Sequence, residues 1–151
     1  MRKTVIADTS CFILLTNINE LDLLHKTYGQ IVTTPEIAAE YRIVLPDWVQ
    51  IVAVSDSGKQ QLFELQIDKG ESSAIALAIE TPDANIILDD YKARKIAMQL
   101  GLDVTGTVGV IIKAKLKGII PSIKPILEKI SRTNFRLSED VENQALKEAK
   151  E

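Results

Sequence analysis

The chain has 151 residues, 46% of them hydrophobic and 26% charged, with a formal net charge of −3, the proportions of an ordinary globular protein. No run approaches the roughly 18 apolar residues of a membrane-spanning helix. The Met1-Arg2-Lys3 start leads into an apolar run broken by Asp8 with no small-residue cleavage pattern, so no signal peptide is expected. The single Cys11 and single His25 exclude an internal disulfide, a zinc cluster and a convincing Cys–His nucleophile pair; a reducing, cytoplasmic location is the expectation, and any chemistry falls to carboxylates.

Short β-like runs alternate with helical ones. Residues 3–7 read as a strand and 10–15 begin a helix. A second helix over 19–28 stops at Gly29, a good residue just past a helix end. Residues 30–33 form the next strand, and Thr34-Pro35 supplies an N-cap and a first-turn proline for a helix to about Arg42. After Pro46 come a strand over 49–54, a helix over 57–67 and an Ala/Ile-rich helix over 71–80. Residues 85–88 are a short, largely apolar strand of the kind buried on both faces. A helix over 91–100 closes at Gly101, a strand follows over 102–105, and a helix over 108–117 closes at Gly118. Helices near 122–131 and 138–150 finish the chain, the last opened by Ser138, Glu139 and Asp140. Strands interleaved with helices imply βαβ units: an α/β fold with a mainly parallel central sheet flanked by helices on both faces.

In such a sheet, ligands bind outside the carboxyl ends of the strands. Asp8 directly follows the first strand, and Asp89 and Asp90 directly follow the strand over 85–88. Aspartate also suits a helix N-cap, so both readings stand here. Glu40 lies one turn after Glu36, opposite Ile37, Ala38 and Tyr41; it is either solvent-facing or at the core's edge, aimed at the strand ends. Glu71 follows Gly70 at the start of "ESSAIALAIE", where an acid complements the helix dipole. Converging carboxylates repel unless a cation neutralises them, and hard oxygen donors suit Mg²⁺ or Mn²⁺. Such a metal activates water and polarises a phosphoryl oxygen. Residues 91–136 carry 10 Lys/Arg against only Asp103 and Glu128, whereas residues 1–90 carry 6 Lys/Arg against 14 Asp/Glu. The basic stretch is expected to hold a phosphate backbone, although Lys113, Lys115 and Lys117 cannot share one helix face.

These residues carry a resemblance. "VIADTSCFILL", "TPEIAAEY", "GESSAIALA" and "IILDDYKARKIAMQLGLDVTGTVGVIIKAKLKGII" resemble, in order and spacing, the four acidic motifs and sheet-closing segment of the PIN-domain family. The likeness is to its VapC-like branch, in which GE opens the third motif and DD-x-x-A-R the fourth, and it runs over about residues 3–136. It implies a Rossmann-like domain over 1–151, with a C-terminal helix near 138–150 beyond the core. It also implies an Mg²⁺- or Mn²⁺-dependent endoribonuclease, a hydrolase of RNA phosphodiester bonds. The same resemblance implies the toxin of a VapBC-like toxin–antitoxin pair, a cognate antitoxin protein and a homodimer, while the lack of a long apolar run implies no membrane association. Asp8, Glu40, Glu71 and Asp89 match the acidic quartet that binds metal and carries catalysis, and Asp90 is a neighbour that replaces or assists Asp89. Thr9, Ser10 and Thr107 are candidates for the hydroxyl residue placed close to the quartet. Arg94 matches the motif arginine, expected to pair with a carboxylate or a phosphate. The third acid is Glu where Asp is commoner in the family, which leaves the metal count open.

Two other acid-pocket readings fail on order. A haloacid-dehalogenase-like phosphatase needs D-x-D after the first strand, where Asp8 is followed by Thr9 and Ser10. A response-regulator receiver needs its acidic pair early, and here the pair comes late. The alternative from another class is a catalytically silent PIN-like protein that binds RNA or a partner.

Overall fold

The computed structural model describes residues 3–151, so the reading of Met1 and Arg2 falls outside it. β1 (Thr4–Ala7) runs Val5, Ile6, Ala7, all buried. Successive strand side chains point to opposite faces, so burial of all three requires helices over both sides of the sheet. β1 pairs in parallel with β2 (Ile31–Thr33) on one side and β4 (Ala84–Ile87) on the other. β3 (Val49–Ile51) extends the sheet beyond β2, and β5 (Asp103–Thr105) extends it beyond β4, giving the all-parallel order β3-β2-β1-β4-β5. The chain steps outward through β1, β2 and β3, then returns to the other side of β1. That reversal opens a crevice at the carboxyl ends of β1 and β4, the place where α/β sheets bind ligands.

Nine helices connect and cover the strands among the described residues: α1 (Thr9–Asn17), α2 (Asp22–Tyr28), α3 (Pro35–Tyr41), α4 (Ser57–Phe63), α5 (Lys69–Ile79), α6 (Tyr91–Gln99), α7 (Thr107–Leu116), α8 (Lys124–Ser131) and α9 (Glu139–Glu148). The predicted alternation holds, with shifted boundaries that have local causes. The helix expected from residue 19 starts at Asp22, because Asn19 adopts a left-handed φ of 59°. The helix expected from Glu71 starts at Lys69, because Asp68 caps it. The strand expected over 49–54 ends at Ile51; Val52 N still donates to Thr33 O at 2.8 Å before the chain departs. Gly29, Gly101 and Gly118 stop their helices at φ of 81°, 78° and 77°, a region that costs glycine nothing.

The core packs Phe12, Leu15 and Leu24 with Ile75, Ile86 and Ile111, all without solvent contact. α5 is buried along almost its whole length, and its small residues Ser72, Ser73, Ala74, Ala76 and Ala78 let neighbouring helices approach closely. α9 joins the same core through Ala145 and Ala149. Lys115 Nζ donates to Ala149 O at 2.9 Å, and the Glu151 carboxylate accepts from Ile123 N at 2.7 Å and from the Ser122 hydroxyl. Among the described residues no helix is long and apolar enough to cross a membrane.

Candidate active site

β1 delivers Asp8 to the crevice. The residue stands at the N-cap position of α1 with extended backbone, yet its side chain makes no capping bond. The cap reading therefore fails for Asp8, which is only 3% exposed. Burial pushes its carboxyl up to about 8, the charges of Glu71, Asp68 and Glu40 add to the rise, and the Thr9 N–H opposes it. A buried acid near other acids favours its neutral form until a cation arrives.

The neighbouring acids come from α3 and α5. Asp68 Oδ1 accepts from Glu71 N at 2.8 Å while Glu71 Oε1 accepts from Asp68 N at 3.3 Å, a reciprocal capping box that fixes the start of α5. The box holds Glu71 in a buried position. Burial first, then the charges of Asp68, Asp90 and Glu40, push its carboxyl up to about 7. Glu40 reaches in from the last turn of α3, with Oε2 only 2.8 Å from where a Cβ on Gly70 would sit. Glycine at 70 is thus the condition for Glu40 to occupy this place. Glu36, which the spacing puts on the same face, turns away and accepts from Gln60 Nε2 at 2.7 Å.

A hydroxyl relay locks the two helices. Ser73 Oγ donates its one proton to Gly70 O at 2.7 Å, so Thr34 Oγ1 must donate across the 2.6 Å contact to Ser73. Thr34 Oγ1 in turn accepts from Ile37 N at 3.2 Å, capping α3. Both hydroxyl residues have no solvent exposure, so the relay ties the helices of Glu40 and Glu71 together from beneath. Thr9 Oγ1 lies 3.5 Å from the same notional Gly70 Cβ and is buried without a hydrogen-bond partner.

The far side of the crevice is built differently. Asp89 accepts from Thr107 N at 2.8 Å and from Thr107 Oγ1 at 2.5 Å, so both its oxygens are held by the start of α7. Asp90 caps α6 by accepting from Ala93 N at 3.0 Å, while its charge still bears on Glu71. Among the described residues Arg94 forms no ion pair with a carboxylate; its Nη1 donates to Leu88 O at 2.8 Å. That guanidinium passes 2.8 Å from a notional Cβ on Gly106, a second place where only glycine leaves room. Ser10 lines a groove with Asn17 and Arg132. Cys11 is buried, and burial pushes its thiol up, so it is no nucleophile.

Asp8, Glu40 and Glu71 therefore share one electrostatic neighbourhood, with Asp89 tethered across from it. Among the described residues no three acids, histidines or cysteines are close enough to grip an ion as they stand. The donor chemistry nonetheless fits a hard divalent cation: oxygen donors throughout, two carboxyls held near neutrality by burial, and an unpartnered Thr9 hydroxyl among them. Asp68 is the acid that sequence reasoning missed. Its signal was the D-x-x-E spacing of a capping box, Asp68 to Glu71.

The basic stretch divides. Lys92, Arg94 and Lys95 lie on α6 next to Asp90, but Lys113 and Lys117 lie roughly 9 and 15 Å along the α7 axis from Thr107. The basic stretch expected to hold a phosphate backbone is thus split, because α7 carries Lys113 and Lys117 away to the amino ends of the strands, beside Lys3 and Asn85. Tyr91, 79% exposed beside Asp90, is an aromatic that sequence reasoning did not single out.

Gly70→Ala separates packing from function. Alanine favours the helix over glycine by up to about 1 kcal/mol, and the displaced group is the flexible end of Glu40. Melting temperature is expected to hold or rise, while the added stabilisation by Mn²⁺ shrinks; calorimetric scans with and without Mn²⁺ read both. An unchanged Mn²⁺ effect sinks the role given to Gly70.

The family model described as DUF3368, PIN domain, matches residues 4–151. No curated protein and no solved structure is matched.

Proposed function

The chain belongs to the PIN-domain family, whose members are typically nucleases that use divalent metals, and from that premise we propose that it is a metal-dependent endoribonuclease. The observation that carries the reading is the placement of Asp8, Glu71 and Glu40 in one neighbourhood at the crevice where the strand order reverses. Asp8, Glu40, Glu71 and Asp89 would hold Mg²⁺ or Mn²⁺, with Asp90 assisting through its charge. A bound cation supplies an activated water and a polarised phosphoryl oxygen for in-line displacement.

The rest of the work belongs to the chain's own groups. Thr107 fixes the Asp89 carboxylate with two hydrogen bonds, and the capping box fixes Glu71. Arg94, anchored through Nη1, keeps its other donors for a phosphate oxygen. Tyr91 offers a ring on which an unpaired base can stack, and Lys92 and Lys95 extend the positive field along α6. Selectivity for single-stranded or looped RNA follows, since those are the forms whose bases can splay onto a ring.

We further propose that the protein is the toxin of a VapBC-like pair and acts in the cytoplasm, partnered by an antitoxin. The homodimer reading draws on Ile43, Val44, Leu62 and Leu65, apolar side chains left exposed around α4 and after α3. Incubation with total RNA in Mn²⁺ is expected to give discrete internal cuts by primer extension, absent in EDTA and absent for Asp8→Asn. The silent RNA- or partner-binding alternative draws on the spacing of the acids, no three of which, among the described residues, are within gripping distance. Intact RNA together with no Mn²⁺ effect on melting would establish it instead.

A further inference from the structure

At the opposite edge of the sheet, beneath the amino ends of β1 and β4, lies a cavity of about 380 Å³ that the acids do not touch. Lys113 on α7 and Lys117 at its C-cap, one turn apart, both bring their ammonium groups over the ring of Tyr28, at 4.9 and 5.9 Å from its centre. Like charges so placed on one helix face disfavour each other, and the ring quadrupole offsets only part of that. Lys115 does not join them; it turns to Ala149 O and Glu151. Lys117 spends one donor on Thr27 O at 2.7 Å, which fixes its head at the cavity wall with two N–H groups to spare.

Lys3 lines the same cavity from the start of β1. Its charge is matched by Asp103, which accepts from Lys3 Nζ at 2.6 Å and from Asn85 Nδ2 at 3.3 Å. The uncompensated charge is therefore that of Lys113 and Lys117. Thr27 and Asn85 form a polar floor, and each has a side-chain oxygen with no hydrogen-bond partner.

The geometry points to a second binding site here, for the phosphate group of a nucleotide-sized ligand. Two ammoniums with spare donors, those of Lys113 and Lys117, converge over Tyr28 at the wall of the cavity. A tetrahedral oxyanion presents oxygens to both ammoniums and a further one to the unpartnered Thr27 hydroxyl, whereas a planar carboxylate presents two. Lysine binds phosphate as a point charge without demanding a planar match, and the volume is at the small-ligand end of the usual range. The site stands whether or not the carboxylate crevice cuts RNA.

The test uses the full chain in EDTA, titrated with inorganic phosphate and with adenosine 5′-monophosphate while melting is followed. Phosphate stabilises folded proteins generally, so the signal is the difference between wild type and Lys113→Ala/Lys117→Ala at matched concentration. Wild type is expected to show an additional, saturating rise that the double variant lacks and that Asp8→Asn retains. The single variants, each with a partial rise, serve if the double variant is too weakly folded. Equal rises in wild type and double variant overturn the site, and competition by an acidic peptide as effective as the nucleotide overturns the phosphate assignment. The source of the phosphate is read from RNA binding. If the double variant's log–log salt slope falls by about 1.4, two phosphates of single-stranded RNA sit there. An unchanged slope with lost nucleotide binding assigns the site to a free nucleotide.

Discussion

Asp8→Asn is expected to raise the melting temperature of the metal-free protein at pH 8 while abolishing its response to Mn²⁺. In the unfolded chain Asp8 titrates near its ordinary 3.8, whereas in the fold burial pushes it up to about 8. Between those values the native state keeps a proton that the unfolded state has released. Stability therefore falls as pH climbs through that window, at up to about 1.4 kcal/mol per pH unit for one group. Glu71, pushed up to about 7 from 4.5, steepens the same fall over its own narrower window. Asparagine keeps an oxygen for the Thr9 N–H and removes the charge that has no partner. A gain of a few kcal/mol at pH 8 corresponds to a rise on the order of 10 °C for a chain of this size, shrinking toward nothing at pH 4. Thermal scans of both proteins across that range in EDTA decide the matter. A variant no more stable than wild type at pH 8 removes the claim that Asp8 is a buried, cation-seeking carboxyl.

What made Asp8 and Asp89 legible from sequence is a rule of topology: each directly follows a strand, and strand ends in a parallel sheet converge on the crevice. The glycine stops were legible for a similar reason, since Gly29, Gly101 and Gly118 each occupy a conformation that glycine adopts freely. The stop after α3 was placed at about the right residue, but Arg42 adopts φ of 65° there without glycine's freedom to signal it. The different surroundings of Asp89 and Asp90 needed three dimensions. Asp90 is spent on the α6 cap, and Asp89 is claimed by Thr107, which lies 18 residues away in sequence and is joined to it only by the β4–β5 pairing. Nor does any local pattern say where a helix ends relative to a sheet edge, so which part of the basic stretch lies near the acids was not readable from the sequence. Asp68 is a different kind of miss: its spacing to Glu71 was readable, but taking Glu71 as the first helical residue left no position for a cap.

Glu71→Gln is expected to leave the fold intact and cut Mn²⁺-dependent RNA cleavage by about 100-fold or more, beyond the 10–100-fold typical of losing an outer partner of a metal ligand. The fold survives because the capping box does. Glutamine presents an amide oxygen to Asp68 N where Glu71 Oε1 now accepts, and the Glu71 N–H bond to Asp68 is main-chain and unaffected. What the substitution removes is the charge in a neighbourhood already crowded by Asp68, Asp90 and Glu40. At pH 8, melting in EDTA is thus expected to be equal or higher. Glu71→Ala loses the bond to Asp68 N as well, at a cost of about 1 kcal/mol, so it should melt lower than Gln while being as inactive. The pair of variants distinguishes a helix-capping glutamate from a metal-binding one, two roles that wild-type geometry superimposes on a single carboxylate. If Gln cleaves RNA at the wild-type rate and only Ala is impaired, Glu71 is a cap and the quartet shrinks to three. If both lose cleavage but only Ala loses stability, the carboxylate charge itself is the functional element, and the capping box serves to hold it where a divalent cation meets Asp8.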